Sequence, residues 1–206
     1  MIKDTLPSTI GDIEPVRTID TPHKSSVSWQ VLKRQELLNC DPWLKVHRET
    51  VQTSSGMVID DYHRLEMPDH VVIYPRTKDG MVATLVQYKH GIGQEALTLP
   101  GGMVDAGEAP LMSAQRELQE ETGLVSPRWY LLGKFCVNGN YGAGNGYYYL
   151  ANDCTLQHPE TSEDYEETRL QWHHPDHLTR LLNTGKIHLM HHALAVALMR
   201  SFETDP

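Results

Sequence analysis

The chain has 206 residues, 39% of them hydrophobic and 22% charged, with a formal net charge of -9. That length suits one full domain with a small appendage, and the apolar share is that of an ordinary globular protein. The negative balance argues against non-specific nucleic-acid binding, which needs clustered Lys and Arg, and no apolar run of about 18 residues is present to span a membrane.

Residues 1–24 carry Pro7, Pro15 and Pro22 among polar neighbours. They are expected to form a poorly ordered arm and lack the apolar core of a secretory signal. Residues 25–66 read as a β-rich subdomain, with short strands at 29–32, 43–53 and 57–65 and a turn at Thr53-Ser54-Ser55-Gly56. A second domain, 67–206, opens with strands at 70–74 and 81–88 around Lys78-Asp79-Gly80, and residues 97–99 run into Pro100-Gly101-Gly102. The clearest helix is Pro110–Thr122, with proline in its first turn and Gly123 just past its end. Strands at 129–137 and 147–151 flank a glycine-rich loop, 138–146, which lacks the lysine and hydroxyl ending of a phosphate-binding loop. It reads as a long hairpin or, alternatively, a flexible lid on the substrate side. Helices at Pro175–Asn183 and 189–201 follow, the second with Leu194, Ala197, Leu198 and Ser201 at helical spacing. Mixed strands with three helices give an α/β or α+β sandwich. Cys40, Cys136 and Cys154 lie far apart without metal-ligand spacing, which fits a reducing cytoplasm better than a disulfide framework.

The chemistry concentrates in residues 102–124. Gly102 is followed after five residues by Glu108, then after seven by Arg116-Glu117-Leu118, then by Glu120-Glu121 and Gly123-Leu124. At about 100° per residue, Leu111, Ala114 and Leu118 form a stripe for burial, and Glu117, Glu120 and Glu121 share the neighbouring flank. Like charges so spaced destabilise an exposed helix by roughly 0.2–0.5 kcal/mol per pair. The plain structural reading is a solvated acidic face, with Arg116 offsetting Glu120. Against it, the cluster follows a glycine-rich turn that a ligand can approach closely, and clustered carboxylates are what hard cations require.

The pattern G-x5-E-x7-R-E-U-x-E-E-x-G-U, where U is a bulky apolar residue, is that of the Nudix box. A chance match in this chain is on the order of 10⁻⁷, so the chain resembles the Nudix hydrolases. The resemblance implies a Nudix fold, a mixed sheet between helices. Glu117 and Glu121 would be the main metal ligands, with Glu120 completing the shell and the Gly101 carbonyl contributing. Arg116 would orient the carboxylates, Glu108 would brace the loop, and Gly102 and Gly123 would supply backbone geometry. The implied cofactor is Mg²⁺, with Mn²⁺ as the alternative, and the implied reaction is hydrolysis of a nucleoside diphosphate linked to another group.

The wider chain resembles the ADP-ribose and ADP-sugar pyrophosphatase branch through Gln87-Tyr88-Lys89 and Leu99-Pro100-Gly101-Gly102. That likeness implies a nucleotide-sugar substrate and a homodimer built through the β-rich N-terminal subdomain. It casts Trp43 and Tyr62 as base-stacking aromatics, unless they only pack that subdomain, and Lys89 as a phosphate contact. In the acidic segment 160–170, Glu166 or Glu167 would be the general base, with Glu163 behind them. Three departures bear on the substrate: Lys89 in place of the usual arginine, Thr98 in place of glutamate, and Gly139 where a proline is common. Tyr141 is faintly similar to a feature of dinucleoside polyphosphate hydrolases, which makes those, or NADH, the alternative substrates. A nucleotide sensor that has lost activity would be expected to lose box carboxylates, and here all are kept. His173, His174, His177, His188, His191 and His192 have no acidic or cysteine partners among them and read as surface or core histidines, although His188 and His192 are one helical turn apart.

Overall fold

The computed structural model describes residues 28–157 and 168–204. The expected arm at 1–24 and the candidate residues Glu163, Glu166 and Glu167 lie outside the described residues. Three antiparallel strands come first: β1 (Gln30–Cys40), β2 (Leu44–Gln52) and β3 (Val58–Glu66). β1 runs eight residues past the predicted end at 32, to Cys40. It is exposed along its whole length, so no buried face imposes the apolar alternation by which a strand is read.

β4 (His70–Thr77) and β5 (Val82–Lys89) form a hairpin, and a 3-10 turn at His90–Ile92 leads into β6 (Gln94–Thr98). Then follow α1 (Pro110–Thr122), β7 (Leu124–Val125), β8 (Arg128–Asn138), β9 (Gly142–Leu156), β10 (Arg169–His173), α2 (Pro175–Asn183) and α3 (Met190–Thr204). The strands are ordered β1-β2-β3-β9-β4-β5-β10, with β6 on β5 and β8 on β9. β9 runs parallel to β3 and β4 but antiparallel to β8, so the sheet is mixed.

Helices cover both faces of this sheet. Val71 and Ile73 of β4 pack with Ala114 and Leu118 of α1, whereas Val72 and Tyr74 pack with Leu178 of α2 and Ala195, Val196 and Met199 of α3. Burial on both faces explains why β4 reads as an unbroken apolar run. α1 has the predicted bounds. Pro110 opens it where an N–H needs no partner, and Gly123, at φ 67°, closes it in the left-handed conformation with its N–H donated to the Gln119 carbonyl.

The long hairpin expected around the glycine-rich stretch is present, with the bounds of its loop corrected. Most of the glycine-rich stretch is strand: the turn occupies only 139–141, and β9 begins at Gly142. A Cβ on Gly144 would lie 2.6 Å from the Pro68 carbonyl oxygen, so glycine there lets two backbones meet, which removes the lid reading. In α3 the buried stripe is Ala195, Val196 and Met199, while Ala197 and Ser201 are exposed. Periodicity alone gives the repeat of an apolar helix but not which side the sheet takes.

Candidate active site

Beyond Thr98 the chain leaves β5 and lies along β4. The Pro100 carbonyl accepts from Ile73 N–H at 2.8 Å, the Gly102 carbonyl from Val71 N–H at 2.9 Å, and Val104 N–H donates to the Asp69 carbonyl at 2.8 Å. This rung-like pairing fixes the turn opposite α1. A Cβ on Gly101 would fall 2.2 Å from the Val71 carbonyl oxygen, and one on Gly102 would fall 2.4 Å from the Glu117 carboxylate. The two glycines thus form a cradle, one side against β4 and the other holding a glutamate head group.

α1 presents the carboxylates because Ala114 and Leu118, both fully buried, clamp its opposite face to the sheet. Glu121 turns inward. Its Oε2 accepts from Gly101 N–H at 2.8 Å and its Oε1 from Gln87 Nε2 at 3.3 Å. Burial, joined by the charge of Glu117, pushes its pKa up to about 7, although the Gly101 amide, Gln87 and nearby Lys89 pull the other way.

Arg116 ties the remaining acids together. Its Nη1 meets Glu117 Oε1 at 2.8 Å and Glu120 Oε2 at 3.0 Å, and its Nη2 meets Glu108 Oε2 at 3.2 Å. Burial opposes its charge, but these bonds outweigh it and hold the guanidinium above its ordinary pKa. Glu108 also accepts from the Ser113 hydroxyl, and that bond with Arg116 holds its pKa below the usual range. Glu120 is half exposed, facing Arg116, so among the described residues no three acids already converge on one point.

Two neighbours were named from sequence but given no place in the site. Thr98, fully buried, donates to Gln87 Oε1 at 3.1 Å, which turns the Gln87 amide nitrogen toward Glu121. Only the departure of Thr98 from the glutamate common at its position signalled it. Gln87 was visible solely as part of a strand-end motif.

Other candidates sit apart from this cluster. Trp43 lies in the turn before β2, 62% exposed, while Tyr62 pairs with Glu49 well along the hairpin. Six residues of strand at about 3.4 Å each separate the two levels by roughly 20 Å, so one chain does not bring Trp43 and Tyr62 to a common base. Tyr62 instead donates to the Asn140 carbonyl and meets Trp29 edge-on. His188 and His192 are not paired either: α3 starts after His188, which faces Gln94.

The NUDIX domain family matches residues 67–193, more than half of the chain. The chain belongs to the Nudix family. Among curated relatives it is 26% identical over 157 residues to an ADP-ribose pyrophosphatase of Mycobacterium tuberculosis, covering 74% of each protein. It is 34% identical over 115 residues to putative nudix hydrolase 2 of Caenorhabditis elegans, covering 51% of this chain and 52% of that one. Its fold matches a crystal structure of an ADP compounds hydrolase with a TM-score of 0.75 at 22% identity, over 87% of this chain and 96% of that one. Nudix hydrolases use a divalent metal. The residues here fit one: Glu117 and Glu121 are hard oxygen donors on one helix flank, and a cation would offset both the burial that chiefly raises Glu121 and the lesser repulsion from Glu117. No described helix is long and apolar enough to cross a membrane.

Proposed function

We propose that this Nudix hydrolase cleaves the diphosphate of ADP-ribose or a related ADP-sugar, giving AMP and a sugar phosphate. The observation that carries the reading is the part-buried Glu121 carboxylate held beside Glu117 at the Gly101-Gly102 cradle. The pyrophosphatase activity named for the mycobacterial relative supplies the substrate class.

Glu117 and Glu121 would hold Mg²⁺, or Mn²⁺ in its place, with Glu120 and the Gly101 carbonyl as further donors. A cation held by these residues would supply charge neutralisation for phosphate oxygens and a lower pKa for a water beside them. Arg116 keeps Glu117 and Glu120 oriented, and Glu108 braces Arg116 from the loop side. Lys89, near enough to Glu121 to lower its pKa, offers phosphate a point charge where arginine would offer a fork. Glu166 or Glu167 would take the proton of the attacking water. In support, Thr168, next in sequence to Glu167, accepts from Gln87 at 3.3 Å beside Glu121.

We further assign residues 25–66 to a subdomain that pairs with a second copy, in a cytoplasmic enzyme acting on small nucleotides and not on nucleic acid. Val31, Leu32, Leu37 and Leu38 of β1 are all exposed apolar groups that a partner would cover. Product analysis with Mg²⁺ across ADP-ribose, ADP-glucose, NADH and dinucleoside polyphosphates tests the substrate. AMP and ribose phosphate from ADP-ribose at the highest kcat/KM is the expected result, and no turnover of any of these compounds would end the hydrolase reading. A monomer in small-angle scattering at working concentration would remove the dimer.

A further inference from the structure

Leu99 is the residue at which the chain crosses from one ladder to another. Thr98 is the last residue paired with β5, opposite Leu85, and Pro100 is the first to bond to β4. The Leu99 side chain is buried, its N–H falls between the two ladders, and a buried N–H without an acceptor is costly. The acceptor comes from the far side of the sheet: His192 Nδ1 of α3 receives Leu99 N–H at 3.1 Å.

His192 stands where an apolar residue would suit the helix, at i, i+3, i+4 and i+7 with Ala195, Val196 and Met199. Accepting through Nδ1 requires the neutral ring with its proton on Nε2. Burial, with Lys89, His191 and His70 nearby, pushes its pKa down to about 3, so the acceptor persists throughout the neutral range. The cavity beside it, lined by Leu99, Leu178, Ile187 and Val196 among others, is only about 10 Å³ and barely admits a water as a substitute. Two residues past Leu99, Gly101 N–H holds Glu121.

We propose that His192 is a positioning residue for the metal-binding turn: by fixing Leu99 N–H it sets where Gly101 and Gly102 meet Glu121 and Glu117. This extends the hydrolase reading above and rests on it. It gives the C-terminal helix a part in catalysis without contact to substrate.

The test compares His192→Leu, which fills the space without an acceptor, with His192→Asn, whose Oδ1 can stand in for Nδ1. Three quantities are read: exchange of the Leu99 amide in the metal-free protein, Mn²⁺ affinity by electron paramagnetic resonance, and kcat against KM for ADP-ribose. In His192→Leu, Leu99 exchange should rise at least tenfold, Mn²⁺ affinity fall about tenfold and kcat fall tenfold or more with KM little changed. His192→Asn should recover most of each. Wild-type Mn²⁺ affinity and kcat in a folded His192→Leu protein would overturn the proposal, as would a loss that His192→Asn shares equally. Should His192→Leu fail to fold, His192→Asn alone decides, full Mn²⁺ affinity supporting the role and a tenfold loss refuting it. If the wild type hydrolyses none of the diphosphates, the hydrolase reading fails, while amide exchange and Mn²⁺ affinity still report on His192.

Discussion

The carboxylate cluster on α1 and the aromatic pair on the N-terminal hairpin are built on opposite plans. Glu117, Glu120 and Glu121 lie within two turns of one helix, so helical geometry alone brings them to one flank. Trp43 and Tyr62 are on separate segments of an exposed wing and stay roughly 20 Å apart in level along it. Groups spaced along one helix share a flank in a single chain, whereas groups spread along an exposed edge stay apart in it. Substitutions in the two regions should therefore differ in kind as well as in size.

The largest effect should come from Glu121→Gln. Losing this part-buried donor should lower kcat about 10³-fold, or about 4 kcal/mol of transition-state stabilisation, with the circular dichroism spectrum unchanged. Turnover near wild type would show that the cation is held elsewhere. Next comes Gly102→Ala, whose methyl would occupy the place of the Glu117 head group. Because a side chain can move aside, the fold should survive while kcat drops about 10²-fold. Gly101→Ala instead meets the Val71 backbone and should destabilise by about 1–3 kcal/mol in denaturant melts, or more.

The pH dependence follows from Glu121, whose folded pKa of about 7 lies above its ordinary 4.5. Metal must displace a proton below that value, so Mn²⁺ affinity should fall about tenfold per unit below pH 7 and level off above it. A raised carboxyl pKa adds stability that is full below pH 4.5 and lost as pH climbs through 7. The metal-free wild type should accordingly lose on the order of 1–3 kcal/mol between pH 5 and pH 8, a slope that Glu121→Gln removes. A flat profile in urea melts would contradict the burial of this group.

On the wing, effects should be small in a single chain. Tyr62→Phe loses the bond to the Asn140 carbonyl and should cost about 0.5–1.5 kcal/mol in thermal melts. Trp43→Ala, at a largely exposed position, should stay within about 0.5 kcal/mol in the same melts. A rise in KM for ADP-ribose on Trp43→Ala, without loss of stability, would sharpen the contrast by placing a partner's wing over the site.

Much of the site was legible because its signals are local. The spacing from Gly102 to Leu124 picked out four acids, one base and two glycines, and Pro110 with Gly123 bounded the helix to the residue. β1 was under-read because a strand exposed on both sides leaves no alternation, and the loop of the long hairpin at 138–146 was drawn too wide because glycine marks close approach as well as turns. Gln87, Thr98 and His192 escaped because each owes its place to a partner 34, 11 or 93 positions away in the chain.

By itself, the order of residues brought Glu117 and Glu121 to one helix flank, since a helix repeats every 3.6 residues, and its likeness to the Nudix box implied the chemistry. Tertiary structure decided what holds the cluster and how it titrates. Burying a carboxylate, orienting an amide through Thr98, and catching Leu99 N–H from α3 all require chain segments distant in sequence to meet, and no local period encodes such meetings.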